Sequence, residues 1–275
     1  MVVEFLTNNI STILALMGTG VFAGVLAGLL GVGGGIVIVP VLFFLFQSFG
    51  VSAESAMVIA TATSLATIIP TSVSSIYSHN KKGNVDFELL KRWAAFIFIG
   101  VLAGSWLVTR VDGGWLAALF GVIATLSALN MLFRTGKSAL FEQLPGMPGQ
   151  GAMGVSIGFF SSMVGIGGGT LSVPMLTICN YPAHRAVGTA AAIGLIISLP
   201  GALTMLVMGV TPADAPAGTY GLVNALAFVC IVPLTVLFAP VGAALAAKLD
   251  AVKLKRVFAC VLLLTGVRML AQFFV

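Results

Sequence analysis

The chain has 275 residues, 59% of them hydrophobic and 8% charged, with a formal net charge of +5 and a mean hydropathy of +1.13. A soluble domain carries roughly 25% charged residues, so no water-facing surface can be built from this chain and the soluble globular classes are excluded. The basic balance reads as the cytoplasmic loops of a membrane protein, and no nucleic-acid partner is expected.

The N-terminal stretch MVVEFLTNN has no basic n-region and carries Glu4, which argues against a cleaved signal peptide. Apolar segments follow near 10–30, 36–49, 55–78, 90–110 and 115–134. After the polar connector RTGKSALFEQLPGMPGQ come 151–164, 170–180, 185–209, 219–247 and 254–275. A spanning helix needs about 20 apolar residues, so 36–49, 151–164 and 170–180 are too short to cross alone. They flank two glycine clusters, GLLGVGGGIVIVP from Gly28 to Pro40 and SSMVGIGGGTLSVP ending at Pro174. Each cluster is expected to be the bend of a helical hairpin or of a broken helix. The β-branched run Ile36–Val39 and the residue before proline favour an extended chain, and proline suits the first helical position. The sequence therefore predicts a bend at the glycines, a short extended run, and a helix starting near Pro40, with the same order ending at Pro174. Cys179, Cys230 and Cys260 are far apart, have no metal-ligand spacing and read as packing residues. No cofactor or metal is expected.

The two halves match. Gly31, Gly33, Gly34, Gly35, Val39, Pro40 and Leu42 fall on Gly165, Gly167, Gly168, Gly169, Val173, Pro174 and Leu176 at a constant offset. VSAESAMVIATATSLATIIP lies on YPAHRAVGTAAAIGLIISLP, ending on Pro70 and Pro200. Leu107, Asp112, Met131 and Leu132 then fall on Leu245, Asp250, Met269 and Leu270. The chain reads as a tandem duplication: a first repeat over 1–134, a cytoplasmic connector over 135–150 and a second repeat over 151–275. Lys81, Lys82, Lys91, Arg92, Arg134, Lys137, Arg185, Lys248, Lys253, Lys255 and Arg256 sit in or beside links, whereas the links 48–54 and 210–218 hold no basic residue. Placing that basic set in the cytoplasm sends the 55–78 helix inward and the 185–209 helix outward. The expected fold is an all-α polytopic membrane protein of two inverted repeats, each a glycine-rich hairpin or broken helix followed by three spanning helices. Both chain ends lie outside.

Inverted repeats with interrupted helices are the build of many secondary transporters, whose site lies near the midplane where the broken elements meet. Glycine allows φ > 0 and close backbone approach, and N–H groups ahead of a helix N-terminus form an anion-favouring concavity. Gly33, Gly34, Gly35, Gly167, Gly168 and Gly169 are the candidate substrate-binding backbone. The alternative for such glycines is helix packing, and GVLAGLLG carries a small-xxx-small pattern. Thr170 and Ser172 make the second cluster the more polar. Ser64, Thr67 and Thr71 share one face of the 55–78 helix; they can donate to an anion or bond their own i−4 carbonyls. Arg268 lies inside the last apolar segment. It can bind an oxyanion bidentately or hold the pathway positive, or it can snorkel to the outer interface. No Asp, Glu or His lies in the middle of an apolar segment, so a buried-carboxylate proton relay has no obvious carrier. No credible base–nucleophile pair points to an enzyme.

Two copies of Gly-x-Gly-Gly-Gly-x₄-Pro, each opening half of a small duplicated membrane protein, resemble the sulfite exporter TauE/SafE family, also called the 4-toluene sulfonate uptake permease family. The resemblance covers nearly the whole chain. It implies transport of sulfite, sulfonates and related small organosulfur anions, and it carries over no coupling ion. The expectation is a multi-pass protein of the bacterial inner membrane that moves such a small anionic substrate by alternating access. The rivals are an anion channel of the same fold and a membrane subunit of a sulfur-handling complex.

Overall fold

The computed structural model describes residues 10–31, 33–133, 141–245 and 251–273. The reading of residues 1–9, the connector stretch 135–140, and Arg134, Lys137, Lys248 and Asp250 lie outside the described residues. Among the described residues there are ten helices: α1 (Ile10–Leu30), α2 (Gly35–Ser48), α3 (Ala53–Asn80), α4 (Phe87–Val108), α5 (Gly113–Phe133), α6 (Met147–Val164), α7 (Gly169–Ile178), α8 (Ala183–Met208), α9 (Ala225–Leu245) and α10 (Ala251–Phe273). A small antiparallel ribbon, β1 (Thr219–Tyr220) and β2 (Val223–Asn224), precedes α9. α3, α5, α8 and α9 are long and apolar enough to cross a membrane. The protein is a multi-pass helical membrane protein. Large apolar side chains such as Ile99, Leu126, Val207, Val229, Leu237 and Leu264 face outward, as lipid contact requires.

Local chemistry sets several boundaries. Ser52 caps α3 by accepting from the Ser55 N–H at 3.3 Å. Asp86 caps α4 by accepting from the Leu89 N–H at 3.0 Å. Each cap satisfies one of the N–H groups a helix start leaves free. Pro148 sits in the first turn of α6, which takes in Met147–Gln150 as well as the apolar 151–164.

The glycine clusters bend the chain, but the run after them is helical. α2 starts at Gly35 with Pro40 inside it, and α7 starts at Gly169 with Pro174 inside it. The expected extended stretch Ile36–Val39 is thereby corrected. An extended run in lipid would leave its N–H and C=O groups unpaired, so the helix wins over β propensity. Proline in the second turn removes only one bond, to the carbonyl four residues back. The bend is sharp: a methyl on Gly34 would lie 3.0 Å from the Ala23 carbonyl oxygen. The chain doubles back, so α1–α2 is a hairpin.

Close glycine contacts fix the helix directions. Gly20, Gly24 and Gly28 of α1 face Ile231, Thr235 and Ala239 of α9, so these two helices run parallel. Gly100 and Gly104 of α4 face Val155 and Phe159 of α6, also parallel. Gly194 and Gly201 of α8 face Ser72 and Leu65 of α3, hence antiparallel; Gly121 of α5 meets Leu270 and Gly266 of α10. First helix on fourth helix, third on third and fifth on fifth: each pairing maps onto itself when the halves are exchanged. α3 is the most buried of the four long apolar helices and, with α8, forms the centre.

The two ends of the bundle differ. At one end the 81–86 link, Arg185 and the 141–142 segment meet: Arg185 pairs with Asp86 at 3.0 Å and the Phe141 N–H donates to the Ile178 carbonyl at 3.1 Å. At the other end Asp214 meets Ser52 and Ser55, Gly113 lies against Glu54, and Gln272 meets Gln47.

Candidate functional site

The two glycine bends meet at the middle of α3. A methyl on Gly33 would come within 3.1 Å of Ile68 and 3.4 Å of the Gly167 Cα; one on Gly35 would lie 2.5 Å from the Gly165 carbonyl oxygen. Gly165 in turn lies against Thr61, and Gly168 against Ile193 and the Gly194 N–H. Ser64 ties the bends together by donating to the Gly165 carbonyl at 2.7 Å. Gly33 and Gly34 have φ of +74° and +80° and Gly165 of +70°, so the turns need glycine on backbone grounds. Gly168, with φ −55°, is required by space instead.

Behind each bend stands a helix N-terminus without a side-chain cap. Gly34 precedes α2 and Gly168 precedes α7, and neither start donates to a capping side chain. The Val37 and Ile38 N–H groups both use the Gly34 carbonyl, and the Ser172 N–H uses that of Gly168. The earlier N–H groups of each first turn point out of the helix, as at any helix start, and carry its positive dipole end. Gly33, Gly34, Gly35, Gly167, Gly168 and Gly169 are all buried.

Hydroxyls without partners surround this junction. The Thr170 Oγ1 in the first turn of α7 is unpaired and the residue is 6% exposed. Thr61 beside Gly165, Ser72 beside Gly194, and Ser161 one turn before Gly165 are buried with unpaired hydroxyls too. Unpaired buried polar groups are rare and need a reason. Here four of them lie near two uncapped helix starts.

The other expected donors are already engaged. Ser64 donates to Gly165, as above. Thr67 donates to the Ser64 carbonyl at 2.7 Å, and Ser172 to the Gly168 carbonyl at 2.6 Å. The Thr71 Oγ1 lies 2.8 Å from the Thr67 carbonyl and 2.7 Å from the Thr235 hydroxyl. Arg268 is apart from the junction. It is exposed and stacks over Phe44, 4.4 Å from the ring centroid, near the far end of α2. Sequence reasoning missed Ser161 and His79, and it gave Thr61, Ser72 and Ser75 no special place among the hydroxyls of α3. The signal that finds those on α3 is a stripe: Thr61, Leu65, Ile68, Ser72, Ser75 and His79 recur at alternating four and three residues, so they share the face on which Ile68 meets both bends.

Each central helix start is held from the link that follows the other. Asp214, after α8, accepts from the Ser52 N–H at 2.8 Å and the Ser55 hydroxyl at 2.6 Å at the start of α3. These bonds, the Ser55 hydroxyl foremost, pull its carboxyl down to about 2. Asp86, after α3, accepts from the Tyr181 hydroxyl and pairs with Arg185, while its N–H donates to Thr189 at 3.0 Å near the start of α8. Burial alone would raise the Asp86 carboxyl; the Tyr181 hydroxyl, the Leu89 N–H and the Arg185 charge outweigh it and hold it below the usual range. Burial and that same hydrogen bond push Tyr181 up to about 12. A separate cavity of about 290 Å³ beside Phe141, Met153, Met175 and Ile178 is lined mostly by apolar side chains and offers an anion little.

A family model described as sulfite exporter TauE/SafE matches residues 16–269. A "Probable membrane transporter protein" of Haemophilus influenzae is 31% identical over 250 residues, 91% of this chain and 95% of the relative. One of the same description from Methanocaldococcus jannaschii is 30% identical over 194 residues, 68% and 70% of the two chains. "Probable membrane transporter protein YunE" of Bacillus subtilis is 29% identical over 214 residues, 69% and 77%. No solved structure matches the chain.

Proposed function

The chain belongs to the sulfite exporter TauE/SafE family and is a membrane transporter, and from that premise we propose that it carries a small oxyanion, sulfite or an organosulfonate, across the bacterial inner membrane by alternating access. The supporting observation is the pair of buried, uncapped helix N-termini set among unpaired hydroxyls. A sulfite or sulfonate group presents three acceptor oxygens and no donor. It needs N–H and O–H groups to replace its water, and unpaired polar groups inside lipid cost several kcal/mol. The first-turn N–H groups at Gly35 and Gly169 and the hydroxyls of Thr170, Thr61, Ser72 and Ser161 supply donors of that kind. The dipole ends of α2 and α7 add positive potential without a counter-charge.

The bends touch one another, so solute passes only if the hairpins separate. That favours alternating access over an open channel. Reciprocal pairing of the halves and opposed α3 and α8 support inverted repeats over 1–134 and 151–275 joined by the 135–150 connector. Basic residues at one end support a cytoplasmic position for that end.

The test is a thermal-shift series on purified protein with sulfite, methanesulfonate, sulfate, thiosulfate and acetate. Sulfite or methanesulfonate should stabilise the protein by mass action, about 2.7 kcal/mol at a hundredfold excess over Kd. Thr170→Val keeps the side-chain volume and removes one hydroxyl. It should weaken that ligand about 10- to 100-fold, the loss of one hydrogen bond to a charged group. Stabilisation by acetate alone, or equal response of the Thr170→Val protein, contradicts the assignment.

A further inference from the structure

His79 is the one titratable side chain on the α3 stripe that faces the bends. It ends α3 and is 3% exposed. Its Nε2 lies 2.9 Å from the Gly28 carbonyl oxygen. A carbonyl can only accept, so Nε2 carries a hydrogen and, in the neutral ring, Nδ1 holds a bare lone pair. That Nδ1 is buried and has no partner. Ser75, one turn earlier on the same face, and Ser72, a further turn back, are 1% exposed with equally unpaired hydroxyls. Ser72 lies 3.0 Å from where a Gly194 methyl would be, and that position is 3.6 Å from the Gly168 N–H at the second bend. The unpaired groups thus form a track of two turns, about 10 Å long by helical rise, from the junction to the basic end.

We propose that His79 is the proton carrier of the transport cycle, its Nδ1 taking up one proton as the anion occupies the junction and the Ser72–Ser75 track, so that one proton travels with one monovalent anion. This rests on the oxyanion reading of the junction. The proton adds to the Nδ1 lone pair and leaves to water at the far side; no other bond changes. The imidazolium then offers Nδ1–H as a donor to the track, and its charge balances the anion within lipid. The last turn of α3 and the Gly28 carbonyl favour the cation. Burial works against the cation most, and the opposing charge is Lys82, whose Nζ donates to the Ala243 carbonyl at 2.5 Å on α9 and which acts on His79 through space. Neither α1 nor α9 presents an Asp, Glu, Lys, Arg or His of its own along its described length.

The chain has two histidines, so a His184→Gln protein leaves His79 as the single imidazole for NMR. Its ring signals are recorded near its midpoint of titration, with and without methanesulfonate and sulfite. Methanesulfonate stays a monoanion throughout, so any proton taken up belongs to the protein. Added anion should raise the ratio of protonated to neutral ring several-fold. In proteoliposomes enclosing a pH dye, wild type should deliver about one proton per methanesulfonate carried. If thermal shift shows either anion binding while the His79 signals stay unmoved, or methanesulfonate enters with no protons, the proposal falls and the junction reading stands. If no anion of the series binds or enters, the junction reading falls and takes the proposal with it. His79→Gln serves as the second measurement: anion binding that still varies with pH as in wild type overturns the assignment to this residue.

Discussion

At the scale of single residues, glycine does two separate jobs at the junction. Gly33, Gly34 and Gly165 sit at positive φ, where a side chain costs about 1–2 kcal/mol. Gly35 has a helical backbone but no room, since its methyl would lie 2.5 Å from the Gly165 carbonyl oxygen and 2.9 Å from Ser64 Oγ. Gly35→Ala should therefore destabilise the protein by about 1–3 kcal/mol through overpacking, seen as a lower unfolding temperature in detergent. Thr170→Val should unfold like wild type, because its hydroxyl has no partner to lose. The glycines were legible in the sequence because backbone freedom and missing volume are properties of the residue itself. The hydroxyls were not. Ser64, Thr67 and Thr71 and the set Thr61, Ser72, Ser75 are chemically alike, and only their neighbours decide that the first three are bonded and the second three are bare.

At the scale of elements, hydropathy located the helices, and local propensity misjudged how two of them begin. Local propensity at Ile36–Val39 favours extension, yet an extended segment inside lipid cannot satisfy its backbone, so α2 and α7 run from the glycines straight through their prolines. The starts of α3 and α8 are held by carboxylates from distant links, a feature no local pattern announces. Asp214 offers a pH test. Its folded pKa, about 2, lies below the ordinary aspartate value of 3.8. Its stabilising contribution is then fully present above about pH 4 and is lost as the pH falls toward 2. Asp214→Asn should lower the unfolding midpoint at neutral pH by about 2 °C and flatten the decline between pH 4 and pH 2. A decline as steep as wild type would show that the bonds to Ser52 and Ser55 contribute nothing.

At the scale of the whole molecule, the halves exchange roles: α1 lies on α9 as α6 lies on α4, and the two hairpin tips pass each other at the centre of α3. The described start of α1 and end of α10 should then share the face opposite the basic links. Alkaline phosphatase fused after residue 273 should be active, and fused within 81–86 inactive, with the reverse for green fluorescence. Amino-acid order alone determined the membrane class, the ten apolar segments and the two bends, because each follows from solvent transfer and backbone freedom summed over neighbours in the chain. Only the tertiary structure decided that the bends touch, which hydroxyls are left unpaired, and that His79 turns a bare nitrogen inward. Those facts depend on which helix faces which, and partners a hundred residues apart leave no trace in local periodicity.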